Sequence, residues 1–321
     1  MLGTFLDKAT AIVDRYFLVA FWFPTFISLA LTFLLIDWIN CYNLRMTYWK
    51  ELTTTSQNIL WLFAWILIIV TVISYVLRAF YINIIQLYEG YWPTSIRIWY
   101  IKQMELPKKW KRLMIKENKA LMNGEIDEFI KMKLYFQYPQ EEIRIMPTKL
   151  GNILRAAEDY SRIVYGMDIT FWWPRLTILL PENLVTELEE TFVPVIAMLN
   201  FGTMLFIFSI ICSLDALTRY YFTYNDNNVG TWLPFIILGV PILGLLMAIL
   251  LYSGATRHAQ DYGTLIRTAV DLYRFDLLEQ LHQELPTNPS QEKALWISLT
   301  KWLYDFNEQD IKYVHKEEGE T

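Results

Sequence analysis

The sequence predicts an all-α integral membrane protein. Four transmembrane helices are joined to a mainly helical cytoplasmic domain, formed by the segment between spans 2 and 3 and the C-terminal tail. Three observations carry this reading. Residues 17–36, 59–77, 191–214 and 231–252 form apolar runs without one Asp, Glu, Lys or Arg. A hydrocarbon core of about 30 Å needs roughly 20 residues at ~1.5 Å each, so each run is long enough to cross it. The chain is 54% hydrophobic and 16% aromatic but 19% charged, too much charge for a chain wholly inside a bilayer, so part of it faces water.

The third observation is where the positive charge falls. Two Lys and Arg residues precede the first run, sixteen lie between the second and third, and seven follow the fourth, whereas the two remaining loops hold two and one. Positive residues are retained on the cytoplasmic side, which places both termini and the middle segment in the cytoplasm. Trp38 and Trp49 flank the first outer loop and Trp232 opens the fourth run, where indole rings favour the membrane interface. The formal net charge of -5 argues against a nucleic-acid surface. The first apolar run exceeds a signal-peptide core and lacks a small-residue cleavage site, so it is expected to stay as a span.

Taken in order, residues 1–16 show a helical apolar stripe, Leu2, Phe5, Leu6, Ala9, Ile12, Val13 and Tyr16, and are expected to form an interfacial amphipathic helix before the first span. The same stripe also suits packing on the cytoplasmic domain. Residues 17–36 and 59–77 are the first two spans. The cytoplasmic domain covers 82–187. Its basic stretch, 102–123, is expected to be helical and carries Lys108, Lys109, Lys111, Arg112, Lys116 and Lys119, which suits either anionic lipid headgroups or a solvated face. A short helix over 126–135 follows, and Pro139 and Pro147 then punctuate the chain.

Thr148 caps a helix whose apolar positions Leu150, Ile153, Leu154, Ala157, Tyr160, Ile163 and Val164 recur every three or four residues, and Gly166 ends it. The next apolar run, 169–180, is too short to span and is expected at the membrane surface. Residues 191–214 and 231–252 are the third and fourth spans. The fourth continues into cytoplasmic helices over 253–306, with charge pairs Arg267–Asp271 and Asp271–Arg274 at i, i+4 and i, i+3. Asn288 and Gln291 form a capping signal for the last helix. Residues 307–321 are charged and read as a disordered tail.

No metalloprotease, P-loop, dinucleotide or nucleophile-elbow motif occurs, and His258, His282 and His315 are not spaced for a metal, so no cofactor is expected. Asn152, Glu158, Asp159, Arg162, Asp168, Arg175, Arg267, Asp271 and Arg274 are read as a cytoplasmic polar network. It joins the middle domain to the extended fourth helix, with an active site as the alternative. Within the spans, Asn200, Thr203 and Ser209 either line a pore or bond between helices. Cys41 and Cys212, both near the outer face, either pair in an oxidising exterior or stay as thiols.

The pattern LGNILRAAEDY, then YGMD and WPRL, followed at 262–278 by YGTLIRTAVDLYRFDLL, resembles a family of bacterial four-span membrane proteins. The resemblance covers some fifty residues and carries no assigned activity; it implies shared architecture in the bacterial inner (plasma) membrane. Three functions fit the sequence. One is a homo-oligomeric channel or membrane-permeabilising effector gated by the cytoplasmic domain. The second is a membrane scaffold recruiting a soluble cytoplasmic partner. The third is a lipid-modifying enzyme using Asp168 and Arg175. All three take the lipid bilayer as a partner.

Overall fold

The computed structural model describes residues 15–40, 56–123, 134–223, 233–305 and 313–314. The amphipathic segment 1–16 apart from its last two residues, most of 126–135, Cys41 and nearly all of the C-terminal tail lie outside them. The described residues are helical, without strands. Helix α1 comprises Arg15–Phe17, a π-helical turn at Leu18–Trp22 and Phe23–Asn40; α2 is Ser56–Ala79, α3 Tyr81–Glu89, α4 Thr94–Gln103 and α5 Leu106–Met122. After a 3₁₀ turn at Glu142–Arg144 come α6, Lys149–Tyr165, and α7, Ile169–Leu176. Two long helices, α8 at Glu182–Thr223 and α9 at Leu233–Gln280, precede α10, Pro289–Asp305.

Among the described residues, two helices are long and apolar enough to cross a membrane, in Glu182–Leu214 and Gly239–Gln280. A bent pair, Phe63–Ala79 with Tyr81–Gln103 at 57°, makes a third if it is one span, and Leu18–Thr32 is a shorter apolar helix. Among the described residues, two to three helices are thus long and apolar enough to span, where the sequence suggests four.

The chain forms two compact units, each assembled from two stretches: Met1–Ile85 with Val193–Ala255, and Gln86–Phe192 with Thr256–Thr321. In the first unit, α1 packs on α2 through Phe17 against Tyr75, ring centroids 4.6 Å apart, and through the Trp22 indole, which donates to Thr71 Oγ1 at 3.2 Å. Gly244 of α9 lies so close to Ser209 of α8 that a Cβ there would overlap the serine hydroxyl. Small residues at such a crossing let two backbones approach. Elsewhere this unit exposes large apolar side chains, among them Trp61 (69%), Trp65 (61%), Leu243 (63%) and Leu250 (65%).

The second unit has a continuous core. Trp172 and Leu176 of α7, Leu184 and Leu188 of α8, Val270, Leu277 and Leu278 of α9, and Trp296 and Leu299 of α10 are all buried in it. The Trp172 and Trp296 rings meet edge-on at 5.2 Å, and the Trp172 indole donates to Thr300 Oγ1 at 2.9 Å. This corrects two expectations. The run 169–180 does not lie bare at a membrane surface, because Ile169, Trp172, Leu176 and Leu180 are buried within its own unit. The basic stretch 102–123 is not one helix: it breaks at Met104 and Glu105, and Glu105 adopts a φ of 49°. Pro107 is the reason, since proline is tolerated in a helix's first turn but not in its interior.

Helix α6 begins and ends on local signals. The Thr148 side chain accepts from Gly151 N at 3.0 Å, and Gly166 closes the helix at φ 76°. Gly151 is also a point of close approach, because a Cβ there would overlap the Glu89 carbonyl. Asn152, 4% exposed, clamps the preceding loop: Oδ1 accepts from Met146 N at 2.8 Å while Nδ2 donates to the Met146 and Thr148 carbonyls at 2.8 and 2.7 Å. At α10, Asn288 Oδ1 caps Gln291 N at 3.0 Å, and Gln291 reaches back to Thr287.

If the Trp172–Trp296 pair holds this core, Trp172→Ala should cost about 3–5 kcal/mol, the usual price of emptying a buried aromatic site. Ile178→Ala, at a side chain 82% exposed, should change stability by less than about 0.5 kcal/mol. Thermal unfolding of the detergent-solubilised chain distinguishes the two.

Candidate functional site

The residues expected to form one polar network separate into two clusters, both in the second unit. On α6, Arg155, Glu158, Asp159 and Arg162 follow at i, i+3, i+4 and i+7, so they share a face. The 3₁₀ turn delivers Arg144 to that face. Its Nε stands 2.5 Å from Asp159 Oδ1 and its Nη2 3.9 Å from Glu158 Oε2. Arg162 Nη2 pairs with Glu141 at 3.1 Å and Asp159 at 3.4 Å; Arg155 Nη1 pairs with Glu158 at 3.0 Å, and its Nη2 donates to the Tyr91 hydroxyl at 2.6 Å. Asp159 is fully buried, and its Oδ2 meets no hydrogen-bond donor among the described residues.

Burial also acts on the carboxyls around Arg155. Desolvation, reinforced by the nearby Glu158 charge and opposed by Arg155, raises the Glu89 carboxyl to about 7. Desolvation raises Glu158 too, against the pull of Arg155 and Arg144. The Tyr91 hydroxyl is likewise raised by burial.

The second cluster gathers on α9. Asp271 accepts from the Tyr160 hydroxyl, 3.0 Å from both carboxylate oxygens, and from the Tyr165 hydroxyl at 2.8 Å. Burial and these bonds to a carboxylate push the pKa of both phenols up, so both stay neutral. The Arg267 guanidinium, 4% exposed, lies 4.4 Å from the Tyr135 ring centroid and 5.2 Å from that of Phe136, and it donates to the Tyr135 carbonyl at 2.9 Å. Desolvation lowers its pKa. Arg274 stacks on Tyr165 and Phe275, both at 4.2 Å, pairs with Glu292 of α10 at 2.7 Å and donates to the Asp271 carbonyl.

This arrangement differs from the expected one in how α6 meets α9. The expected Arg267–Asp271 and Asp271–Arg274 side-chain pairs are replaced by partners on other elements, and the link between the helices is made by tyrosine hydroxyls. A buried charge is stabilised best where rings and hydrogen bonds replace lost water, and α9 finds these on its neighbours. Three predicted members stand apart, the first being Asn152, which clamps the loop before α6. Asp168 is exposed and caps α7, accepting from Thr170 N at 3.1 Å; Arg175 stacks on Phe171 at 4.3 Å and donates to its carbonyl at 2.9 Å.

In the first unit, Asn200 is 1% exposed and its Nδ2 donates to the Ala20 carbonyl at 2.9 Å. Ala20 belongs to the π-helical turn, where the regular bonding pattern of the helix changes. The next carbonyl, of Phe21, accepts from the Thr25 hydroxyl at 2.7 Å and from that of Ser74 at 3.5 Å. Thr203 and Ser209 donate to the carbonyls of Leu199 and Leu205 on their own helix, at 2.8 and 2.7 Å. Cys212 is fully buried beside Leu205 and Phe208, and Cys41 lies outside the described residues. Among the described residues, no three His, Cys, Asp or Glu side chains form a group able to hold a metal ion.

Sequence reasoning missed Glu89, Tyr91, Glu141, Arg144 and Glu292, which complete the clusters from distant stretches. Only the tyrosines of α6, which stand among its charged residues, carried a local hint. Fold and clusters together define an all-helical protein with two to three helices, among the described residues, that are long and apolar enough to cross a membrane, and a unit that carries both polar clusters. Comparison with protein-family models, curated proteins and solved structures finds no match.

Two outcomes test these clusters. Glu89 holds its proton more tightly folded than unfolded, so its contribution to stability is full below pH 4.5 and is lost as the pH rises through about 7. Glu89→Gln should flatten the decline of melting temperature across that window, without abolishing it, because Glu158 is raised as well. Separately, Asp271→Ala should cost about 2–4 kcal/mol by stranding two phenols beside an arginine, whereas Tyr165→Phe should cost about 1 kcal/mol, both read from denaturant unfolding.

Proposed function

We propose that this chain is a membrane scaffold: four helical spans in a bacterial inner (plasma) membrane hold the second unit, with both termini, on the cytoplasmic side, where it docks a soluble protein partner. The orientation rests on the lysine and arginine distribution. The four-span count rests on the uncharged runs, and membrane insertion is supported by the large apolar side chains that the first unit exposes, a surface unsuited to water.

One observation carries the choice of scaffold over channel. Asn200, the side chain best suited to a polar pore lining, is buried and bonded to the Ala20 carbonyl, and Ser209 is buried against Gly244. A homo-oligomeric channel would need these groups to face a lumen formed between subunits. A lipid-modifying enzyme would need an acid–base pair at the interface, and Asp168 and Arg175 are occupied in capping and stacking.

Purified protein in liposomes should pass no more ions than empty vesicles. Flux that disappears in Asn200→Leu would establish a pore and overturn the scaffold reading. A reporter fused after Thr321 should be active only on the cytoplasmic side.

A further inference from the structure

Helices α4 and α5 present a surface that the core of the second unit does not use. Residues 94–122 hold eight Lys and Arg residues against two acids, Glu105 and Glu117. Lys108 pairs with Glu105 at 2.7 Å and Lys111 with Glu142 at 2.9 Å. Lys109, Arg112, Lys116 and Lys119 are exposed and have no ion-pair partner among the described residues. On a helical projection these four and Lys108 share one side of α5. The other side carries Leu106, Trp110, Leu113 and Met114, which are half-buried, and the Trp110 indole donates to the Pro139 carbonyl at 3.0 Å. The apolar face of α5 is therefore already covered, and its basic face is the one left open.

Open lysines alone describe any solvated helix. Here they are interleaved with large apolar side chains turned outward. Ile115 (53% exposed) lies one turn from Lys111, Arg112 and Lys119, and Met122 (89%) one turn from Lys119. On α4, Trp99 (64%) and Ile98 lie one turn from Lys102. Tryptophan beside lysine is the pairing favoured where a headgroup layer meets hydrocarbon, the indole entering the interface while the ammonium stays with phosphate. This surface also follows the apolar helix α2 closely along the chain. Between Ala79, which ends α2, and Thr94, which starts α4, lie only Phe80, helix α3 and four further residues. Nine helical residues rise about 14 Å, so the tether is short.

We infer that the exposed basic and apolar surface of α4 and α5 docks on the anionic lipid headgroups of the leaflet in which the chain is anchored. This rests on the membrane reading given above and assigns the surface to lipid, leaving the rest of the second unit for a protein partner. Phosphate groups attract each unpaired cation, and the shallow insertion of Trp99, Ile115 and Met122 supplies the apolar part.

The test is hydrogen exchange of the full chain in nanodiscs of neutral phosphatidylcholine and of a mixture containing anionic phosphatidylglycerol. Amides of α4 and α5 should exchange several-fold more slowly with the anionic lipid, while those of α10 stay unchanged. The difference should vanish in the Lys109→Gln, Arg112→Gln, Lys116→Gln, Lys119→Gln variant and shrink in high salt. Equal exchange in the two lipids overturns the inference. So does protection conferred in neutral discs by soluble glycerophosphate, which would make the surface a free-phosphate site, or by added cytosolic protein, which would make it a protein-docking site. Failure of the chain to enter nanodiscs at all would instead refute the membrane reading on which the inference depends.

Discussion

The second unit depends on one stretch of α9, from Arg267 to Arg274. Within two turns it places a cation, an anion and a second cation, each directed at a different neighbour. Arg267 enters a ring of aromatics from the chain at 135–136 and from α6, Asp271 takes two phenol hydroxyls of α6, and Arg274 reaches Glu292 of α10. None of these groups is easily removed from water alone. Together they give each charge hydrogen bonds or a ring face, so the burial that drives the core does not leave a charge stranded. The apolar contact of Trp172 with Trp296 then joins α7 to α10 on that frame.

The first unit obeys the same constraint with fewer polar groups. A helix in hydrocarbon must satisfy its own backbone, and a π-helical turn alters that pattern locally. The polar side chains of three helices converge where α1 has such a turn: Asn200 from α8 serves Ala20, while Ser74 from α2 and Thr25 from α1 serve Phe21. An amide that looks like a pore lining in the sequence thus completes a backbone. That is why polar residues in apolar runs cannot be assigned from composition: glue and lining demand the same residue types and differ only in the direction the side chain takes.

Legibility in the sequence follows the range of the interaction. Signals that act within one turn were readable: Thr148 and Gly166 bounding α6, Asn288 opening α10, and the all-helical class itself from the periodicity of the apolar positions. Pro107 held the break between α4 and α5, but its weight against a continuous basic stretch was not. The partners that charged residues find on other elements were not readable, because Tyr160 and Asp271, for example, stand 111 residues apart. Periodicity puts Glu158, Asp159 and Arg162 on one face of α6; it does not say that Arg144 and Glu141 come to meet them. The short run at 169–180 misled for a related reason. Apolar and aromatic content marks a surface that avoids water, and it does not tell a membrane from a protein interior.

These long separations have a consequence for assembly. The core of the second unit draws Met167, Trp172 and Leu176 from the stretch before the long apolar part of α8, and Val270, Leu278 and Trp296 from the stretch after that of α9. Neither stretch holds a complete core. Helix α7 alone would expose Trp172 and Leu176 to water, and α9 alone would carry Arg267 without its aromatic ring of partners. The middle stretch therefore waits for the last quarter of the chain before it can bury its apolar side chains. Closing so long a loop costs conformational entropy that only the full set of contacts offsets. Folding of this unit is thereby tied to placement of both long apolar segments, α8 and α9, which lie between its two halves in the sequence. The second unit therefore has a finished polar surface only after both long apolar helices have been synthesised.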